Sequence, residues 1–201
     1  RVVDIDRAEC AKIIKQWGAD YWDGSRHHGY GGYVYDGRWR KVAERMAEHY
    51  GLTSEMRILD VGCGRAHLLY EFTQVLPGIE VAGIDISEFG IETAKDEVRP
   101  FLKTGTCTSL PWSEDHFDFV FSLNLHHNLE IFDLWNSIRE IERVGRNDKK
   151  YVCVESWRSE EEKANMLYWA IPCESFHSPE GWKWLLSKAG YHGDIGFIFF
   201  E

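Results

Sequence analysis

The chain has 201 residues, 44% of them hydrophobic and only 5 of them proline, the composition of one globular domain with a core large enough to need no disulfide staple. Its 23 basic residues stand against 33 acidic ones, a net charge of −10, which argues against nucleic acid or an anionic membrane surface as partner. No apolar stretch approaches the ~20 residues that span a bilayer, and five dispersed cysteines without a C-x-x-C pair read as reduced thiols of a cytoplasmic protein.

Residues 19–40 follow neither a helical nor a strand period. Tyr21, Trp22, Tyr30, Tyr33, Tyr35 and Trp39 lie among Gly24, Gly29, Gly31, Gly32 and Gly37, with His27 and His28 between them. Glycines supply mobility and rings supply apolar area, so this segment is expected to be a lid over a pocket; the alternative is a rigid aromatic staple. A helix is predicted over 39–50, where Trp39, Val42, Ala43, Met46, Ala47 and Tyr50 share a face and Gly51 stops it. Strand-like and helix-like segments then alternate. A buried strand at 57–61 precedes a helix at 66–76, and a second strand at 80–85 precedes a helix that Ser87 caps and that runs to about Val98. Residues 100–104 form a weak strand, and 118–122 a fourth strand. The next helix, 130–144, turns Ile131, Leu134, Trp135, Ile138, Ile141 and Val144 to one side. A fifth strand at 151–155 leads to a helix at 159–170, opened by a Ser159–Glu162 capping box. A last helix starts at Ser178–Pro179 and stops at Gly190, and 194–200 is a final strand.

This alternation predicts an α/β, Rossmann-like doubly wound sheet of parallel strands with helices on both faces. We expect one domain over 1–201, with lid and helix in 1–50 and the core in 51–201. In such sheets ligands bind beyond the carboxyl ends of the strands, near the reversal of strand order. Residues just after Val61, Asp85, Ser122 and Glu155 are therefore the candidates for chemistry.

The sharpest local signal is Asp60-Val61-Gly62-Cys63-Gly64-Arg65-Ala66 between a strand and a helix. The glycines permit a tight turn and a close backbone approach to a ligand. Asp85 ends the next strand, where a carboxylate can accept both hydroxyls of a ribose. A dinucleotide site prefers a third glycine where His67 stands. Asp60, directly before the turn, would repel a pyrophosphate but suits an ammonium group.

On these residues the chain resembles the class I S-adenosylmethionine-dependent methyltransferases, especially the small-molecule group called type 11, over roughly residues 39–200. The matching stretches are LDVGCGRAHL (59–68), VAGIDIS (81–87), TCTSLPWSEDHFDFVFS (106–122), LHHNL (125–129) and IREIERV (138–144). The resemblance implies S-adenosyl-L-methionine as cofactor. It assigns Asp60, Gly62, Cys63 and Gly64 to the methionine part, Asp85 to the ribose, Ile86, Thr106 and Cys107 to the adenine, and Asn124 to the methionine tail. Thr106 departs from the pattern, since the family often has an acid there, and Ala66 replaces the third glycine of the family's turn. The resemblance also implies an antiparallel edge at the C-terminal side of the sheet.

Methyl transfer needs alignment, exclusion of water and, for a hydroxyl or ammonium acceptor, removal of a proton. His126 and His127 are the candidate bases, with a structural role for both as the alternative. Tyr30, Tyr33, Tyr35, Glu155, Trp157 and His177 are candidates for holding the acceptor, and no metal site is expected. The expected acceptor is a small molecule, more readily an oxygen than a nitrogen. The N-terminal Tyr-Trp-Asp-Gly…Tyr-Gly-Gly-Tyr pattern resembles methyltransferases of surface-glycan clusters, which suggests a sugar or sugar derivative. Other readings stay open: N-methylation, a protein or RNA substrate, a non-catalytic cofactor-binding subunit, or a nicotinamide-dependent oxidoreductase. The sequence leaves the oligomeric state open.

Overall fold

The computed structural model describes residues 6–200. The elements run in the order α1 (Arg7–Ile14), α2 (Ala19–Trp22), α3 (Arg40–Tyr50), β1 (Arg57–Val61), α4 (His67–Val75), β2 (Glu80–Asp85) and α5 (Glu88–Glu92). There follow β3 (Leu102–Thr104), β4 (Phe119–Leu123), α6 (Ile131–Val144), β5 (Lys150–Glu155), α7 (Glu160–Trp169), α8 (Pro179–Lys188) and β6 (Asp194–Ile198).

The six strands form one sheet in the order β3-β2-β1-β4-β5-β6, and all five pairings are parallel. The expected antiparallel C-terminal edge is thus corrected. Strand β6 pairs with β5 in the same sense, from Tyr151 opposite Asp194 to Glu155 opposite Ile198. The physical reason lies in the connection: α7 and α8 carry the chain back across the sheet before β6 enters, as a parallel pair requires. Strand order reverses between β1 and β4, which puts the Gly62–Gly64 turn and the residues after Leu123 at the crevice where such folds bind ligands.

Period-two alternation divides the core between the two faces. Ile58, Phe119 and Phe121 pack with Ala43, Met46, Leu69 and Phe72 on one side. Leu59, Val61 and Val120 pack with Leu134, Ile138, Ile141, Trp182 and Leu186 on the other. Near-continuous apolar strands are what a sheet covered on both faces demands.

Two local expectations need adjusting. The helix after Ser87 ends at Glu92 rather than near Val98, with Thr93 as its C-cap, whose hydroxyl donates to the carbonyl of Phe89 at 2.6 Å. Helix α1 lies outside the elements the sequence predicts. It is capped by Asp6, whose side chain accepts from the amides of Ala8 and Glu9, and it buries only Cys10 and Ile14.

Candidate active site

The turn after β1 is wound so that its own amides are used internally. The amides of Gly62 and Cys63 both donate to the carbonyl of Ile84, at 2.8 and 3.1 Å. The Gly64 amide donates to the Asp85 carboxylate at 2.7 Å. Gly62 and Gly64 take φ of 83° and 52°, and Ala66, in the place of a third glycine, takes 52° as well. The amides of Gly62, Cys63 and Gly64 are thereby spent inside the fold, whereas a pyrophosphate cradle points such amides at its ligand.

Two buried acids face the crevice instead. Asp60 is 5% exposed, and its Oδ1 has no hydrogen-bond partner. Burial, followed by the nearby Asp85 charge, pushes its carboxyl well up. A buried carboxylate oxygen without a donor is costly, so the position suits a cationic ligand group that completes it. Asp85 accepts from the Gly64 amide and from the Ser87 amide, each at 2.7 Å, and burial pushes its carboxyl up against those bonds. Each of its oxygens retains a lone pair for a hydroxyl donor.

Asp85 opens onto a cavity of 190 Å³, whose walls include Gly62, Ile86, Thr106, Cys107, Asn124 and Leu125. Asp60, Gly62, Cys63, Gly64 and Asn124 line an adjoining recess of 70 Å³. The structure therefore brings together every residue assigned to the cofactor. The Cys63 thiol is turned into the core beside Gly83, so its contribution is the backbone of the turn. Asn124 holds a left-handed φ of 60°, and its Oδ1 is also buried without a partner. Asparagine takes this region more readily than other side chains, and the orphaned acceptor leaves a place for a ligand donor at the crevice.

The aromatic N-terminal segment covers this crevice. The Trp22 indole lies over Gly64 and donates to Ser87 Oγ at 2.8 Å. It stacks on Tyr30 with centroids 5.4 Å apart, and Tyr30 meets Tyr33 at 4.5 Å. Arg65, directly after the glycines and 6% exposed, donates to the carbonyl of Tyr33 at 2.7 Å and to Asp23 at 2.5 Å. The segment is thus stapled to the ligand-binding turn itself.

A second cavity, of 340 Å³, adjoins the first through the shared residues Tyr21, Tyr30 and Asn124. Tyr168, Trp169, Ile171 and Phe200 supply apolar wall, Arg7, Arg26 and His27 lie along it, and Glu155 stands at its inner end. The Glu155 side chain is 19% exposed, and burial pushes its carboxyl up to about 7.

The two histidines are buried. His126 has no exposed surface; its Nδ1 lies 3.4 Å from Ser122 Oγ and its Nε2 lies 3.2 Å from Ser137 Oγ, between β4 and α6. It lines neither cavity, so the expectation of His126 as a base is corrected. His127 Nδ1 accepts the amide of Glu155 at 3.1 Å. Burial holds both rings down at about 3, so both are neutral in the physiological range. The 3.7 Å approach of His127 Nε2 to Glu155 is accordingly no ion pair, and His127 is not free to take an acceptor's proton either.

His127, Glu155 and Cys173 bring ligand atoms within 4.8 Å of one another. With Nδ1 accepting an amide, however, the proton of the neutral ring sits on Nε2, which leaves no lone pair for a metal ion.

Three of the residues expected around the acceptor lie elsewhere. The Tyr35 hydroxyl donates to the buried Glu71 at 2.5 Å, and its ring packs against Tyr70, away from both cavities. Trp157 packs in a satellite cluster with Met166 and Cys173. The His177 ring meets the edge of Trp182 at 5.0 Å and its carbonyl accepts from Ser156 Oγ. Tyr33 faces the 70 Å³ recess rather than the larger cavity. Conversely, Tyr21, Trp22 and Arg65 take part in the site without having been singled out. Their signal was proximity to the glycine turn and membership of the aromatic segment.

A family model described as a methyltransferase domain matches residues 52–190. The chain is 30% identical over 129 residues to the uncharacterized methyltransferase YcgJ of Bacillus subtilis, spanning 60% of this chain and 46% of that protein. It is 28% identical over 135 residues to the 27-O-demethylrifamycin SV methyltransferase of Amycolatopsis mediterranei, spanning 62% of this chain and 48% of that one. The chain thus spans about half the length of the curated relatives it matches. The crystal structure of YcgJ superposes with a TM-score of 0.60 at 21% identity, covering 74% of this chain and 67% of that one, a likeness of fold.

Proposed function

The chain belongs to the class I methyltransferase-domain family, and from that premise we propose that it transfers a methyl group from S-adenosyl-L-methionine to a hydroxyl oxygen of a small molecule. The observation that carries the reading is the pair of adjoining cavities, one over Asp60 and Asp85 and one ending at Glu155, joined at Asn124.

The residues present fit the cofactor. The orphaned Asp60 oxygen suits its ammonium, Asp85 its ribose hydroxyls, and Ile86, Thr106 and Cys107 its adenine. When bound, S-adenosyl-L-methionine supplies a methyl group already activated on a sulfonium. Tyr21 and Tyr30, whose phenols burial pushes up, stay neutral and offer ring faces to that cation. We take the aromatic segment 19–40 as the lid, which with the helix after it precedes the core from residue 51, so that water is excluded while the acceptor is aligned.

The oxygen-methylating relative of Amycolatopsis mediterranei supports an oxygen acceptor by its name. A sugar derivative, suggested by the N-terminal pattern, is one member of that class, since aromatic walls stack on sugar faces. No helix among the described residues is long and apolar enough to cross a membrane, and the net charge of −10 disfavours a polyanionic substrate. A cytoplasmic setting suits the five free cysteines. The test is calorimetric titration with adenosylhomocysteine and with NADH, followed by adenosylhomocysteine release on a panel of hydroxyl, amine and carboxylate compounds. Tighter NADH binding, or turnover of amines alone, would sink the proposal.

A further inference from the structure

The proton of a hydroxyl acceptor needs a destination, and the histidines next to the strand ends are unable to provide it. Both are fully or nearly fully buried, and their ring nitrogens are engaged with Ser122, Ser137 and the Glu155 amide. Glu155 differs in every respect. It ends β5 at the carboxyl edge of the sheet, it lines the larger cavity, and it shares that cavity with Asn124, the residue at the junction with the cofactor crevice.

Its surroundings hold it in place from several sides. His127 accepts its amide through Nδ1 and turns Nε2 toward Oε1 at 3.7 Å. The Trp182 indole of α8 donates to its carbonyl at 3.0 Å. The Cys173 thiol, in the stretch after α7, lies 3.9 Å from Oε2, with Glu174 beside it. Cys153 precedes it on β5, and Tyr21, Tyr30, Arg26, His27 and Arg7 share its cavity. The Cys173 thiol donates to one oxygen of its carboxylate, and the neutral His127 ring faces the other.

Building on the methyltransferase reading, we propose that Glu155 is the proton acceptor of the transfer, positioned by His127, and that the acceptor is an aromatic hydroxyl compound lying against the cavity wall that Tyr21, Tyr30 and Trp169 help to form. As the acceptor oxygen forms its bond to the methyl carbon, the carbon–sulfur bond breaks with its electron pair left on sulfur, and the hydroxyl proton passes to the Glu155 carboxylate. The neutral acid then returns that proton to solvent. Glu155 would be a catalytic residue, since it touches the reacting hydroxyl; His127 acts through it. A carboxyl raised to about 7 is better matched to a phenol, which ionises near 10, than to an aliphatic sugar hydroxyl, which ionises far higher. The aromatic walls favour the same class.

The experiment reads binding. Protein saturated with adenosylhomocysteine is titrated by calorimetry with 4-methylphenol, with its methyl ether 4-methylanisole, and with methyl glucoside, from pH 5.5 to 8.5. The phenol stays neutral over this range, so any pH dependence belongs to the protein. We expect its affinity to rise about tenfold as Glu155 ionises, with a midpoint near 7, while the ether stays flat or weakens. Glu155→Gln should flatten the phenol curve. His127→Asn, which can still accept the Glu155 amide but no longer faces the carboxylate with Nε2, should move the midpoint upward; a merely structural role would leave it unmoved. A flat phenol curve, an ether bound as tightly as the phenol at pH 8, tighter binding of methyl glucoside, or binding of none of the three would overturn the proposal. Failure of adenosylhomocysteine itself to bind would overturn the methyltransferase reading beneath it.

Discussion

The Trp22 indole and Gly64 are in such close apposition that a Cβ on the glycine would stand 2.5 Å from the indole Cη2. The φ of 52° at that glycine adds a second obstacle to a side chain. Gly64→Ala should therefore displace both the turn and its aromatic cover. We expect adenosylhomocysteine affinity to fall at least about tenfold and stability to drop by about 1–2 kcal/mol, measured by calorimetry and urea unfolding. Adding Trp22→Ala relieves the contact but not the dihedral, so it should restore affinity only in part; full restoration would show the dihedral to be irrelevant.

If the aromatic segment is a lid, Trp22 is the residue expected to set the rate of ligand exchange. Its ring stacks on Tyr30 and its Nε1 is tied to Ser87 across the crevice. Trp22→Ala should speed adenosylhomocysteine dissociation about tenfold or more in stopped-flow fluorescence, with a smaller change in association. Unchanged dissociation would mean that the segment does not close over the ligand.

The two crevice acids are separable by ligand. Asp60, with its orphaned Oδ1, is assigned to the ammonium, and Asp85 to the ribose. Methylthioadenosine has the ribose but lacks the amino acid. Asp60→Asn should weaken adenosylhomocysteine by about 1–3 kcal/mol and leave methylthioadenosine nearly unchanged, whereas Asp85→Ala should weaken both. Equal losses for the two ligands in Asp60→Asn would refute the division of labour.

The strand, turn, helix and second strand around residues 57–85 were legible because local rules agree there: the glycines take left-handed dihedrals, and both acids end up at the carboxyl edge. The sense of β6 was not legible, since the antiparallel edge was expected from the family resemblance alone and the path of α7 and α8 decides the sense. Around the site, residue type was a poor guide to direction. Tyr30 and Tyr35 stand in the same glycine-rich run, yet Tyr30 walls both cavities while the buried Glu71 holds the Tyr35 hydroxyl away from them. Likewise His126 sits beside a strand end, but its ring turns inward to Ser137, a contact formed only when α6 packs on β4.

The buried histidines give stability a pH dependence. His126 and His127 are held down at about 3 by burial, against an ordinary value of 6.5. Below 6.5 the unfolded chain takes up protons that the folded chain refuses, so stability present above 6.5 is lost as pH falls toward 3. Each ring contributes about 1.4 kcal/mol per pH unit in that window, and ionisation of Glu155 opposes roughly one of them. Asp60 and Asp85, whose carboxyls burial also raises, oppose the loss and His67, held down at about 4, adds to it, so urea unfolding between pH 6.5 and 5 is read as the difference between parent and variant, about 2 kcal/mol for one ring. His126→Gln should reduce that slope even if it lowers stability at pH 7; an unaltered slope would show that the ring is not buried neutral.

Glu155 has the opposite sign. Its carboxyl rises from an ordinary 4.5 to about 7 because burial penalises the charged form. Between those values the folded state holds a proton that the unfolded state has released, so folding becomes less favourable as pH climbs from 4.5 to 7 and stays so above it. Glu155→Gln carries no such charge. At pH 8 the variant should be more stable than the parent by about 1–3 kcal/mol, the upper end corresponding to the full shift and the lower end to partial solvation of a side chain that is 19% exposed. Near pH 5 the advantage should shrink toward zero. A stabilised but less competent variant is the signature of a charge kept for function, and a variant destabilised equally at both pH values would instead make the Glu155 carboxylate a structural hydrogen-bond partner of the Cys173 thiol.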